Sequence, residues 1–156
     1  FSKIFKLNKS NEQYLKVNFE NTQMQQSAER IDFNAGSWYT HGTILHGYTN
    51  RGQVLGAGIG PSGSSQTLDF SVWKKDNYFG IELERYAHNL DFYYNVYQDD
   101  YRHKWVDLSV KTYAYRRYKN WGIQAKLNTI YMANYQYQKD QGKLNLQIQF
   151  ALQYHL

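Results

Sequence analysis

Glu82 and Glu84 stand two residues apart, and paired carboxylates are the working groups of glycoside hydrolysis. That chemistry needs two carboxyl groups about 5–9.5 Å apart across a sugar site. Residues two apart on any strand reach such a spacing, so the simpler reading is a pair of lumen acids neutralised by Lys111, Lys126 or Arg102. Gly56, Gly58 and Gly60 suggest a phosphate-cradling loop, but no Lys-Ser or Lys-Thr follows and no helical pattern begins there, so nucleotide binding is not expected. The five histidines, His41, His46, His88, His103 and His155, show no ligand spacing of the HExxH kind, and no serine sits in a GxSxG elbow. The residues therefore predict no catalysis, no metal site and no cofactor.

Binding chemistry remains, in two stretches. GYTNRGQVLGAGIGPSGSSQ, Gly47 to Gln66, reads either as a glycine-rich loop folded tightly over a barrel mouth or as a loop touching glycan or lipid, with Tyr48, Asn50, Arg51 and Gln53 as polar contacts. HNLDFYYNVYQDDYRHKW, His88 to Trp105, interleaves aromatic rings with Asp, Asn, Arg and His. Rings of that kind stack on sugars while the polar groups take hydroxyls, and the same residues would also serve as an interfacial belt or a loop core. Tyr93, Tyr94, Tyr97, Tyr101 and Trp105 are too many for a belt alone, so some should face the lumen or the outside.

The elements that hold these loops are strands. The clearest is Lys143 to Leu156, where Leu144, Leu146, Ile148, Phe150, Leu152, Tyr154 and Leu156 point one way and Asn145, Gln147, Gln149, Ala151, Gln153 and His155 the other. A half-buried soluble strand alternates in the same way. At about 3.3 Å per residue, though, this stretch is longer than ordinary soluble strands and suits the ~9–11 residues that a tilted strand needs to cross a bilayer. Its aromatic residue three from the end and its apolar terminus resemble the assembly signal of outer-membrane barrels.

Composition agrees. The 156 residues include 16 Tyr, 8 Phe and 4 Trp, one proline and no cysteine. Mean hydropathy is -0.78, and no run approaches the ~18–20 apolar residues of a spanning helix. A barrel tolerates that low average because only alternate residues meet lipid, and it accounts for the aromatic load as girdles at the two interfaces. Without cysteine there is neither a disulfide framework nor a thiolate metal site. The net charge of +5 comes from Lys and Arg scattered along the chain, which favours an anionic neighbour such as lipopolysaccharide or an acidic glycan over nucleic acid.

In chain order, Phe1 to Asn8 reads as the tail of a strand and Tyr14 to Gln23 as the first whole one. Gln66 to Trp73, Tyr78 to Tyr86, Lys104 to Tyr115 and Trp121 to about Tyr135 follow before the final strand. The connections alternate: short at 9–13, very long at 24–64, short at 74–77, long at 87–103, short at 116–120 and medium at 136–142. Eight of the eleven glycines and the single proline fall in the 24–64 connection. Outer-membrane barrels sort short turns to the periplasm and long loops to the exterior, and with the C-terminus at the periplasm every connection here obeys. The expected fold is an all-β, antiparallel transmembrane barrel. About six full strands and a partial one are too few for the smallest bacterial barrels, so residues 1–156 are expected to form the C-terminal part of one larger barrel domain. The start at Phe1, without methionine or leader, is read as a mature terminus or the edge of a fragment.

HGTILHGYTNRGQVLGAGIGPSGSSQ, followed by LDFSVWKKDNYFGIELERYAHNLDFYY, resembles the C-terminal region of the Wzi-type capsule assembly proteins, in a divergent, Bacteroidetes-like branch. The likeness runs from about Asn18 to the C-terminus and is most specific over Gly47 to Tyr94, where the GYT-x-RG-x-V-x-G stretch and the LERY strand end lie. It implies a Gram-negative outer-membrane barrel of roughly eighteen strands, acting as a surface lectin that attaches capsular polysaccharide to the cell.

The expected function is thus non-enzymatic binding or tethering of a capsular or other surface polysaccharide. The candidate contacts are Tyr48, Asn50, Arg51, Gln53, Tyr93, Tyr97, Tyr101 and Trp105, above a lumen network of Glu82, Glu84, Lys111 and Lys126. Outer-membrane lipid and lipopolysaccharide are the expected surroundings. Two alternatives stand beside it: a structural or accessory subunit of an envelope secretion or assembly complex, with protein partners on the loops, and a porin-like channel. Bulky inward residues at Tyr86, Trp105 and Tyr113 oppose the channel.

Overall fold

The computed structural model describes residues 1–8, 12–26, 39, 43, 47–51, 53–56, 58–98 and 100–155. His41 and His46 lie outside the described residues, as does much of the 24–64 connection. The chain is mainly antiparallel β. Its strands are β1 (Ser2–Asn8), β2 (Gln13–Gln23), β3 (Thr49–Asn50), β4 (Gln53–Val54), β5 (Ser64–Lys74), β6 (Asn77–Ala87), β7 (Val106–Tyr118), β8 (Trp121–Ala133) and β9 (Lys143–Tyr154). Among the described residues there is one α-helix, α1 (Leu90–Tyr97), between β6 and β7. No helix among the described residues is long and apolar enough to cross a membrane.

Seven strands form one sheet in the order β1-β2-β5-β6-β7-β8-β9, an uninterrupted meander, while β3 and β4 make a separate small hairpin. From β2 to β9 the register continues without a shift; the one irregularity lies between Lys6 and Asn8 of β1. Side chains at paired positions share a face. At one level Val17, Phe70, Ile81, Thr112, Leu127 and Ile148 are neighbours across six strands. One residue along, Asn18, Asp69, Glu82, Lys111, Asn128 and Gln147 make the matching row on the opposite face.

Burial is inverted relative to a water-soluble sheet. Ser71 and Asp69 are 2 % and 8 % exposed, whereas their strand neighbour Phe70 is 40 % exposed and Phe150 of β9 is 76 % exposed. The buried apolar residues among those described are only Ala87, Leu90 and Tyr93, and they sit at one end of the sheet. A soluble monomer rarely leaves more than a few hundred Å² of contiguous apolar surface bare. Here Phe19, Phe70, Ile81, Leu83, Val110 and Ile148, all on one face, are each exposed.

The polar face is tied by side chains. Asp69 accepts from Asn18 Nδ2 at 3.0 Å and from the Tyr113 hydroxyl, and Lys111 pairs with Glu82. Toward the end carrying the tight turns, Trp73, Tyr78 and Tyr115 cover this face in a run of ring contacts of 4.4 and 5.4 Å. Two-residue turns join β5 to β6 and β7 to β8. Those turns lie at the end of the meander where β1 finishes and β2 begins; β2 finishes and β5 begins at the other end, together with the connections at 88–105 and 134–142. The sheet is open: among the described residues β1 and β9 each have one strand neighbour.

The sequence places no helix in the 87–103 connection. Leu90, Tyr93, Tyr94 and Tyr97 do follow the i, i+3, i+4, i+7 spacing of a helix face, but Phe92 and Val96 between them blur that period. The Asn89 side chain caps the helix by accepting from Phe92 N at 3.1 Å, and Asp91 lies in its first turn.

Gly80 lies directly opposite Tyr113, and a Cβ on it would come 2.3 Å from that ring. A Gly80→Ala change should cost about 1–3 kcal/mol of stability. The loss should be smaller in a Tyr113→Ser background than in the native one when denaturant midpoints are compared in a double-mutant cycle. Strict additivity would show that the ring does not cover Gly80.

Candidate functional site

The loop end is built on α1. Asp91, 1 % exposed, holds both flanks of the 24–63 connection: it accepts from Gln26 N at 3.2 Å and from the Ser62 hydroxyl. Leu90 N donates to Ser62 O at 2.9 Å, Met24 N to Gly63 O at 2.9 Å, and the Tyr86 hydroxyl to Ile59 O at 2.5 Å. A buried carboxyl group needs such donors. The excursion is thereby stitched down where it leaves β2 and where it enters β5.

Beside the clamp lies a continuous set of rings. His88 stacks on Trp105 at 3.6 Å and 14°, and Tyr97 stacks on His103 at 4.4 Å and 9°. Trp105 meets Tyr135 and Tyr137 edge-on, and Tyr137 meets Phe92 at 4.9 Å. Asp107 fastens the base of the set, taking a bond from Trp105 Nε1 at 2.9 Å and one with His88 Nε2 at 2.8 Å. Burial among the rings, with Tyr86 and Tyr97 beside it, pushes the Tyr137 phenol up to about 12, so it stays neutral through the physiological range.

The residues expected to contact sugar divide into two groups. Tyr48, Asn50, Arg51 and Gln53 occupy the β3–β4 hairpin and are all exposed. Tyr101 is 77 % exposed, in a 3₁₀ turn spanning Tyr101–His103. Tyr93 is 2 % exposed and packs with Ala87 and Leu90, so it supports α1 and presents no ring to a ligand. Tyr97 and Trp105 are half-buried, with Tyr97 packed against that core and Trp105 in the ring set. The reason is the helix: its inner face takes up Tyr93 and turns Tyr97 toward His103.

Of the ion pairs expected for the lumen acids only one forms, Glu82 with Lys111 on the polar face of the sheet. Glu84 accepts from Ser65 Oγ at 2.9 Å. Lys126 lies opposite Tyr113 and forms no ion pair with a described residue. Arg102 is a loop residue that binds both oxygens of Asp100, and it pairs with neither Glu82 nor Glu84. Asp69 is the member the sequence did not single out, although its inward position was legible from the strand period. It lies in a groove of about 780 Å³ on the polar face, bordered by Asn18, Glu20, Trp73, Glu82 and Tyr113. Among the described residues, no group of three or more His, Cys, Asp or Glu is placed to hold a metal ion.

No family model, curated protein or solved structure matches this chain.

Replacing Asp91 by Ala should remove about 1.5–3 kcal/mol from local closure. The readout is faster amide hydrogen exchange at Gln26, with β7 and β8 amides unchanged; unaltered exchange at Gln26 would contradict the clamp. The guanidinium of Arg102 holds the Asp100 carboxyl down at about 2, from an ordinary value near 3.8, mainly through their hydrogen bonds. With the folded value lowered, this pairing is fully present above about pH 4 and is lost as pH falls through about 2. Carbon-detected NMR titration should show this, and Arg102→Gln should return Asp100 to the usual carboxylate range.

Proposed function

We propose that this chain is the C-terminal arc of a larger outer-membrane β-barrel that binds or tethers a surface polysaccharide, capsular in kind, at its loop end without chemical conversion. The observation that carries the reading is the inverted burial in the central strands: Ser65, Asp69, Ser71 and Ser109 are buried on one face, while Phe70, Ile81, Leu83 and Val110 are exposed on the other. Lipid hydrocarbon is the surrounding in which that arrangement is stable, since it accepts the apolar rows while the ladder satisfies the backbone. From Leu144 to Tyr154 the bare row of β9 runs about 34 Å along the strand, or roughly 25 Å of depth at a 45° tilt, the height of a barrel's apolar band.

Further strands complete the ring, because an unpaired edge in hydrocarbon leaves backbone groups unsatisfied at several kcal/mol each. The long connections face the exterior and the tight turns the periplasm. At the exterior, exposed Tyr48 and Tyr101 offer stacking faces, while Asn50, Arg51 and Gln53 offer hydrogen bonds to hydroxyl or acidic groups. The resemblance to capsule assembly proteins points to the same class of ligand.

Two measurements test the two halves. Ile148→Arg, in the middle of the apolar band, should cost about 2–4 kcal/mol of folding into bilayers, and a change near the band's edge such as Tyr154→Arg much less. Equal costs would exclude a membrane-embedded face. Retention of the intact protein on immobilised capsular polysaccharide should fall about three- to tenfold for Arg51→Ala and for Tyr101→Ala. Unchanged retention in both would remove these loops from binding. Stoichiometric co-purifying proteins, or ion conductance in planar bilayers, would favour the envelope-complex or channel reading instead.

A further inference from the structure

The lysines and arginines are scattered in sequence, but strand pairing gathers five of them at one place. Lys75 lies in the β5–β6 turn with Lys74 beside it at the end of β5; Lys119 lies in the β7–β8 turn, about forty residues later, with Arg116 and Arg117 beside it at the end of β7, and all five are exposed. The turns are tied together: Arg117 N donates to Asn77 Oδ1 at 2.8 Å, and Arg117 Nη1 lies 3.3 Å from Asp76. Asp76 is the single acid in the two turns, so together they carry four of the chain's five net positive charges (five cations less one acid). The loop end has no such excess, because Arg102 and Lys104 there are accompanied by Asp91, Asp100 and Asp107.

The turns themselves do not call for lysine. Lys75 and Lys119 both take the left-handed backbone, φ 52°. Glycine or asparagine adopts that conformation more readily, and two-residue hairpins favour them. A lysine at the same position of both turns therefore sits against local preference, which its charge can explain and its backbone cannot.

Just above the cations, on the bare apolar side, is an aromatic belt. Tyr118, Trp121 and Tyr154 share a row and are each about half exposed or more, Trp121 meets Tyr154 at 5.0 Å, and Lys119 Nζ lies 5.6 Å from the Tyr118 ring. Rings of this kind settle at the level of lipid headgroups, which puts Lys74, Lys75, Arg116 and Lys119 among the phosphates, while Arg117 ties the two turns together through Asp76 and Asn77.

We propose that the two tied turns form a docking surface for acidic glycerophospholipid headgroups in the leaflet at the turn end. This rests on the membrane-embedded reading above. The cations fix which lipid surrounds the arc at that level and hold the sheet at constant depth, with the phosphates over Lys74, Lys75, Arg116 and Lys119 and the acyl chains along Tyr118, Trp121 and Ile123.

Trp121 reports on this site directly, because among the described tryptophans it is the one on the bare apolar face. The intact protein, with its closing strands, is reconstituted in phosphatidylcholine bilayers containing brominated phosphatidylcholine or brominated phosphatidylglycerol, and quenching of tryptophan fluorescence is measured. Quenching by the brominated choline lipid tests membrane embedding alone; its absence would overturn that reading and this one together. With quenching present, the glycerol lipid should be preferred about fivefold at low salt, with the preference falling toward one at 0.5 M salt.

Lys75→Asn/Lys119→Asn should abolish most of the preference while leaving the thermal transition unchanged or raised, since asparagine suits the turn. Lys74→Gln/Arg116→Gln should weaken the preference without touching either turn tip. No preference in the native protein, or a preference that survives both double variants, would overturn the docking surface while leaving the membrane reading intact. Unlabelled lipid A that competed better than unlabelled phosphatidylglycerol would overturn it in favour of a lipopolysaccharide site.

Discussion

In an antiparallel sheet the neighbouring strands take up the backbone hydrogen bonds, so a residue's odd or even place along its strand decides which environment its side chain meets. Everything else in this chain depends on keeping that parity through six consecutive pairings. A slip of one residue between β5 and β6 would move Phe79, Ile81 and Leu83 to the face of Asp69 and bring Glu82 and Glu84 to the bare one. The polar face resists it: Asp69 reaches back to Asn18 of β2 and across to Tyr113 of β7, and Glu82 reaches Lys111, so one row of polar contacts spans four strands. Tyr113 can lie over β6 because Gly80 leaves the space.

With both faces of the sheet committed, the chain has one place left for an ordinary apolar core, the loop end. Ala87, Leu90 and Tyr93 are packed there under the rings of Tyr94, Tyr97 and Tyr137. A short helix solves a problem that a loop would not, since it satisfies its own amides while presenting one side to the core. Its buried Asp91 then accepts hydrogen bonds from Gln26 and Ser62, so the same eight-residue element covers one end of the sheet and holds the two flanks of a long connection.

Much of the sheet was legible from sequence because its signal is period two with apolar residues at every other site. Leu15, Val17 and Phe19, or Leu144 through Tyr154, declare their face without help from tertiary structure, and the lengths of the connections sort them to the two ends. Three things were not legible. The helix was hidden because Phe92 and Val96 fill the polar positions of its pattern. The fate of each ring could not be read, because Tyr93 and Tyr101 have the same chemistry and differ only in what folds over them. The grouping of Lys74, Lys75, Arg116, Arg117 and Lys119 was invisible because it exists only once β6 pairs with β7. Lys126 and Arg102 show the same limit: facing or charge alone does not choose a partner.

The strand count has a consequence of its own. In a meander each strand reverses the last, so after seven strands the two rims of the sheet, β1 and β9, run in the same direction. Joining such rims to each other, or to the opposite rims of an identical copy, sets parallel neighbours side by side at every seam. A closed barrel that alternates all the way round needs an even total, so in the barrel proposed above the completing part contributes an odd number of strands, the first and last of them antiparallel to β1 and β9.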